Sequence, residues 1–347
     1  MMHNFQNDYS EGAHSAILER LVQTNLTQQA GYGQDEYAIA ARELLRQRLN
    51  NSRAAIFFAS GGTQANLLVI SALLRPHEAV ISAETGHIQV HETGAIEAVG
   101  HRIITVPPTD GKLWPEDLQK VLAAHTMRPH MVRPRLVYIS NSTETGSFYS
   151  RAELQALYAA CKDLDLLLFM DGARLGHALT AVGNDLRMED LSYFTDVFYI
   201  GATKNGGLLG EAIVFNDPEL CTDFDFIMKQ KGAMLSKGRL LGIQFQVLFE
   251  HNLYFDLAQY ANQQAARIAQ AFAEAGFSFL HPPVTNQVFP ILPIELINTL
   301  RKRFLFYDWK PMGDQGTATR WICSWATSDQ AVEALQNALA PQATWGN

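Results

Sequence analysis

Three places in this sequence carry residue types at spacings that could do chemistry on an amine. The first is the loop Ser60-Gly61-Gly62-Thr63-Gln64-Ala65-Asn66, which follows an apolar run and opens a helical pattern over Asn66–Leu74. Glycines let a ligand approach the backbone, and the free N–H groups at a helix start bind phosphate; an ordinary strand-to-helix turn would look the same. The second is Asp171, directly after the apolar run Leu166–Met170. That position puts a carboxylate at the carboxyl end of a buried strand, where open α/β sheets place ligands. Burial demands a partner for it, either a cationic ring nitrogen or the nearby Arg174, unless it caps a helix. The third is Lys204, boxed between an apolar strand and glycines in Tyr199-Ile200-Gly201-Ala202-Thr203-Lys204-Asn205-Gly206-Gly207. Desolvation there would lower its pKa and make it a Schiff-base nucleophile, whereas an exposed turn lysine would do nothing.

Together these parts point further than any one alone. A phosphate loop, an acid at a strand end and a lysine 33 residues beyond that acid are what pyridoxal phosphate needs. In that reading the loop Ser60–Asn66 anchors the phosphate, Asp171 keeps the pyridine nitrogen protonated, and Lys204 holds the aldehyde. His87 is placed to stack on the ring. With His91 one helical turn on, it could instead begin a metal site, but no third ligand is evident and no metal is expected. Other chemistries lose ground. The chain has no Gly-x-Gly-x-x-Gly, no Walker A loop, no Gly-x-Ser-x-Gly elbow, no Cys-x-x-Cys and no His-Glu-x-x-His.

The elements that must position these groups can be read from periodicity. Seven short apolar runs alternate with amphipathic helices: Ala54–Phe58, Ala79–Ile81, Arg102–Val106, Leu136–Ile139, Leu166–Met170, Asp196–Ile200 and Ala212–Phe215. Such runs predict an α/β fold with a mostly parallel, seven-stranded sheet covered on both faces. After Lys229 the pattern changes to long helices over roughly Ser236–Glu250 and Tyr254–Glu274. Strands follow near Gln287–Ile291 and Thr319–Ser324, with a closing helix Asp329–Leu339. The expected division is an arm over residues 1–25, a large α/β domain over 26–245 and a smaller α+β domain over 246–347.

Composition sets the outer bounds. The 347 residues are 47% hydrophobic and 18% charged, enough to bury two cooperating cores. Net charge is −8 and no basic run appears, which argues against nucleic acid as a partner. No apolar run reaches the ~18 residues of a membrane span. Three scattered cysteines, Cys161, Cys221 and Cys323, and a polar N-terminus without a signal pattern suggest a cytoplasmic protein with free thiols.

On these residues the sequence resembles the β-eliminating lyase group of fold-type-I pyridoxal-phosphate enzymes, and within it the L-threonine aldolases. The likeness runs from about residue 5 to residue 340. Its strongest block is Met170-Asp171-Gly172-Ala173-Arg174, followed by Thr203-Lys204. Further blocks are Tyr32-Gly33-Gln34-Asp35, the loop Ser60–Asn66, His87-Ile88 with Glu92 and Gly94, and Thr285-Asn286-Gln287-Val288-Phe289. The segment from His130 to Arg135-Leu136 matches by its spacing before a strand.

The resemblance implies roles. Gly61, Gly62 and Thr63 would bind phosphate, His87 would stack over the ring, Asp171 would pair with the ring nitrogen, and Lys204 would hold the cofactor. Arg174 would lie near the ring's phenolic oxygen and the substrate carboxylate, and Arg320 would grip that carboxylate with a bidentate fork. The implied reaction cleaves the Cα–Cβ bond of a β-hydroxy-α-amino acid to glycine and an aldehyde. His87 directly, or His130 through a water, is the expected base at the β-hydroxyl. Rival readings are a β-eliminating lyase, an aminotransferase, or a catalytically silent scaffold. The resemblance also implies a homodimer or homotetramer with shared sites, in which the basic cluster Lys229, Lys231, Lys237 and Arg239 approaches a neighbour's cofactor phosphate; a solvated helix face would look alike. Departures fall on the substrate side. Arg-Ser-Asp-Thr becomes Gln6-Asn7-Asp8-Tyr9, Glu-Asn-Thr-His-Asn-Gly becomes Asn141-Ser142-Thr143-Glu144-Thr145-Gly146, Leu-Ser-Lys-Gly becomes Ala202-Thr203-Lys204-Asn205, and a Gly-Gly-Gly-Met-Arg stretch becomes Lys231–Lys237.

Overall fold

The apolar runs pair as expected. In the computed structural model, which describes residues 2–340, they form a seven-stranded sheet ordered Ala55–Ala59, Glu211–Phe215, Val197–Gly201, Leu167–Asp171, Arg133–Ser140, Glu78–Ala83 and Arg102–Val106. Glu211–Phe215 runs antiparallel to both neighbours, and the remaining pairings are parallel. Every residue of Leu167–Asp171, Val197–Gly201 and Glu78–Ala83 is buried, which is why these segments read as continuous apolar runs without alternation. One core fills each face of the sheet.

Register determines what meets at the sheet's carboxyl edge. Ser140 pairs with Asp171, and Glu211 pairs with both Ala59 and Gly201. Leaving the edge, the chain turns tightly: a Cβ built on Gly172 would come within 1.8 Å of the Tyr199 carbonyl oxygen, so only glycine fits there. The loop after Ala59 enters helix Gly62–Leu73, whose first turn has no side-chain cap. Helix Glu36–Arg48 is capped by Asp35, whose Oδ1 accepts from the Ala38 amide at 2.8 Å. It packs on Arg239–Glu250 at Gly242, where a Cβ would lie 2.5 Å from the Ala38 backbone.

A third core lies under a small antiparallel sheet built from Gln287–Val288, Ile291–Leu292, Tyr307–Pro311 and Thr317–Ile322. At its centre Trp321 is fully buried, stacked on Phe306 at 4.2 Å. Helices Leu253–Glu274 and Asp329–Leu339 complete it, close to their expected limits. Residues 341–347 of the expected small domain lie outside the described residues.

Two elements were not anticipated. Tyr307–Pro311 is an edge strand with exposed, polar and proline-bearing positions, so no apolar alternation marks it; its pairing with Thr317–Ile322 makes it a strand. At the N-terminus, His3–Asn4 pairs with Phe304–Leu305, and Phe5 is buried in the small sheet's core. The arm is thus fastened to the small sheet's part of the chain, far from it in sequence. Among the described residues no helix is long and apolar enough to cross a membrane.

Candidate active site

The carboxyl edge of the large sheet and the strands Tyr307–Pro311 and Thr317–Ile322 enclose a cavity of about 620 Å³. Gly61, Gly62 and Thr63 line one end, Asp171, Lys204 and His87 the floor, and Arg174 and Arg320 the side toward the small sheet. Most of the site residues expected from sequence therefore meet in one place.

Asp171 is the most enclosed. Tyr138 donates to its Oδ2 at 2.5 Å, the Ala173 amide donates to Oδ1 at 2.9 Å, and Asn66 Nδ2 lies 3.4 Å from Oδ2. Burial works against its charge, but the charge of His87, the tyrosine hydroxyl and the Ala173 amide outweigh it and hold the carboxyl below its usual pKa. Among the described residues Asp171 makes no ion pair. Arg174, the partner left open from sequence, is taken: its Nε and Nη2 bind the two oxygens of Asp8 at 2.7 and 3.0 Å, with both residues buried. An ionised, buried, unpaired carboxylate facing a cavity suits a cationic ring nitrogen.

Lys204 sits half-buried at the turn after Val197–Gly201, also without an ion pair among the described residues. Burial and then the Arg174 charge push its pKa down, which favours the free amine a nucleophile needs. The preceding Thr203 hydroxyl accepts from the Gly210 amide and donates to Glu211 Oε1, each at 3.0 Å. Glu211 itself is raised to about 8 by burial, and its Oε2 has no hydrogen-bond partner.

His87 opens the short helix His87–Val90 and gives its Nδ1 to Glu92 Oε1 at 2.8 Å; the same oxygen accepts from Asn66 at 2.7 Å. Burial opposes charge on this imidazole, but Glu92, Asp171 and Glu144 overcome it and raise its pKa. His91 tilts against His87 with ring centroids 5.4 Å apart. No cluster of three metal-ligating side chains occurs among the described residues.

Arg320 leans over Trp309 at 5.1 Å and donates to Gln287 Oε1 at 2.6 Å, leaving a buried Nε without a partner. With two of the Arg174 nitrogens held by Asp8 and one of the Arg320 nitrogens held by Gln287, Arg320 is the guanidinium with more unused capacity. Asp8 is also bound by Asn286 Nδ2 at 2.9 Å. Its importance was not visible in the departing segment Gln6–Tyr9, because its partner lies 166 residues away. Tyr138, Asn66, Glu144 and Glu211 were missed likewise. Tyr138 and Glu211 are strand residues whose direction only the sheet register reveals, while Asn66 lies in helix Gly62–Leu73 and Glu144 in a turn, where chain position alone does not tell what they face.

His130 requires a correction. It lies exposed in the turn before Arg133–Ser140, at the strand's amino end, where Arg133 pairs with Asp165. The site is at the other end, beside Ser140, roughly 25 Å along an eight-residue strand. Its spacing before a strand was right, but its end of that strand cannot serve this subunit's cavity. The basic cluster is also outside the cavity: Lys229 stacks on Tyr32 at 4.3 Å and Arg239 on Tyr37 at 5.0 Å.

Comparison with known proteins agrees with this geometry. Over 95% of each chain, the sequence is 33% identical to the low specificity L-threonine aldolase of Pseudomonas aeruginosa. The fold superposes on a threonine aldolase of Leishmania major with a TM-score of 0.94 and 44% identity, covering 97% of this chain and 100% of that one. An aspartate aminotransferase of Thermus thermophilus shares the fold at a TM-score of 0.71 and 15% identity, covering 98% and 91%. The fold-type-I architecture expected from sequence is thereby borne out. The family model of the beta-eliminating lyases matches residues 5–294, which include every cavity residue up to Glu211, and the chain belongs to that family.

Proposed function

We propose that this chain is a pyridoxal-phosphate-dependent carbon–carbon lyase that cleaves a β-hydroxy-α-amino acid of the L-threonine or L-allo-threonine type to glycine and an aldehyde. The observation that carries the reading is Asp171: buried, ionised and without a counter-cation, across the same cavity floor from the unpaired Lys204. Bound pyridoxal phosphate supplies an electron sink that accepts the bonding pair released at Cα.

Each residue then has a task. The uncapped first turn of helix Gly62–Leu73 offers backbone N–H groups to a phosphate. A side chain at Gly62 would force the buried Tyr199 to shift, because a Cβ there would lie 2.9 Å from its hydroxyl. Asp171 keeps a ring nitrogen protonated, and Lys204 supplies the amine that binds the cofactor's aldehyde. Arg320 takes the substrate carboxylate, with Arg174 contributing the edge that Asp8 leaves free. Anchoring that carboxylate would fix the substrate's orientation and so select which bond at Cα is broken. Of the two bases expected from sequence, His87 is the one that lines the cavity.

The relatives' names support the aldolase reading over β-elimination or transamination. Product analysis tests it. Incubated with L-threonine, the purified protein should yield glycine and acetaldehyde in equal amounts; ammonia and a keto acid would favour elimination.

In this reading residues 1–25 form an arm, 26–245 the cofactor-binding domain and 246–347 the substrate-side domain. The contacts of Phe5 and Asp8 support the bridging place of the arm. Three free cysteines, two of them buried, suit a cytoplasmic protein. Exposed Val22, Leu26 and Phe226 suit a homo-oligomer, dimeric or tetrameric, whose subunits cover them.

A further inference from the structure

One carboxylate in the cavity has neither a task nor a hydrogen-bond partner among the described residues. Glu144 is 8% exposed and lines the cavity, yet it makes no hydrogen bond or ion pair with any described residue. His87, His91, Arg174, Lys204 and Arg320 all feel its charge. Around it three of the polar groups are committed: Asp171 to Tyr138, Arg174 to Asp8, and His87 Nδ1 to Glu92.

The turn that carries it is held firmly. It leaves the carboxyl end of Arg133–Ser140 and closes through the Thr143 amide on the Ser147 carbonyl at 2.8 Å. From the small sheet's side, Gln287 Nε2 donates to the Thr143 carbonyl at 3.2 Å and Thr285 Oγ1 to the Gly146 carbonyl at 2.8 Å. Gly146 sits at φ 82°, a conformation side chains disfavour. Two parts of the chain thus fix a carboxylate whose oxygens find no donor. Glu144 faces the cavity, so a ligand that displaces water from it must supply the donor.

We propose that Glu144 accepts the proton of the substrate's β-hydroxyl, and so is the base of the cleavage step. The inference rests on the aldolase reading. The O–H proton goes to a Glu144 oxygen, and the O–H bonding pair becomes the second C–O bond of the aldehyde. The Cα–Cβ pair stays on the glycine fragment, whose Cα takes up one proton, while Glu144 returns its own to solvent. His87 is less suited, because Glu92 and Asp171 favour its protonated form. The position is also one where the resembling family carries histidine and this chain does not.

The test uses Glu144→Gln, Glu144→His and the wild type, each loaded with pyridoxal phosphate. Cofactor affinity, read from the visible absorbance, and melting temperature should match wild type in both variants. Glu144→Gln should lose about 10²–10³-fold in kcat for L-threonine cleavage. It should keep, within about threefold, the exchange of the glycine α-proton with D2O, a step that needs no β-hydroxyl base. Glu144→His, which restores a titratable group, should recover part of kcat and move the acid limb of the pH–rate profile upward. Cleavage by Glu144→Gln within a few-fold of wild type would overturn the role, as would a parallel loss of cleavage and exchange. A wild type that exchanges glycine but cleaves no β-hydroxy amino acid would overturn the aldolase reading itself, and this role with it.

Discussion

The floor of the cavity and its small-sheet side are built on different terms. On the floor, Asp171 and Lys204 follow directly from parallel strands, and hydrogen bonds from Tyr138, Ala173 and Thr203 hold the groups beside them. On the other side, Glu144, Arg320 and Tyr9 come from a turn, a small-sheet strand and the N-terminal arm, and they keep unused capacity. The floor suits a permanent occupant. The far side suits a transient one. Changes on the floor should therefore abolish chemistry while leaving substrate choice alone, and changes opposite should alter substrate handling.

The strongest way to break this contrast is at the joint between the two regions. Asp8→Ala strands the buried Arg174 guanidinium without its partner and should cost about 3–5 kcal/mol of unfolding free energy, measured by urea denaturation. A loss under about 1 kcal/mol would mean that the arm does not hold the site together. On the floor, Asp171→Asn should lower kcat about 10²–10³-fold, since a neutral amide cannot keep a ring nitrogen protonated. Its cofactor should still bind, and its relative rates with L-threonine and L-serine should be unchanged. On the far side, Arg320→Ala should cost about 2 kcal/mol in kcat/KM, roughly 30-fold, with the cofactor spectrum intact. Arg320→Lys should recover only part, because an ammonium lacks the fork. An unchanged kcat/KM would hand the carboxylate to Arg174.

The smallest effect concerns pH. Glu92 raises the folded-state pKa of His87, so their interaction stabilises the fold fully below the unfolded imidazole value, about 6.5. It fades as pH rises through the folded value. Glu92→Gln should therefore lower the melting temperature of the cofactor-free protein most at pH 6 and least at pH 9. An equal loss at both would indicate that only the hydrogen bond to Asn66 matters.

The same contrast explains what could be read from sequence. Asp171, Lys204 and the Ser60–Asn66 loop were legible because each ends or closely follows an apolar run of the sheet, so chain position alone puts them at the carboxyl edge. Arg320 was legible through resemblance. Asp8 was not, since nothing local in Gln6-Asn7-Asp8-Tyr9 announces a guanidinium 166 residues away. Glu144 and Glu211 were invisible as site residues because which way a side chain points depends on register and on turn closure. His130 failed for a related reason: spacing before a strand does not say which end of the strand faces the ligand. Tyr307–Pro311 failed because an edge strand carries no apolar signature.

Everything proposed for the floor depends on one bond. The purified protein should be reduced with borohydride, digested and mapped by mass. The pyridoxyl group should appear on Lys204, with bleaching of the visible absorbance in proportion to the label. A pyridoxyl group on Lys229 or Lys231, or no label on a protein that still cleaves L-threonine, would contradict the site.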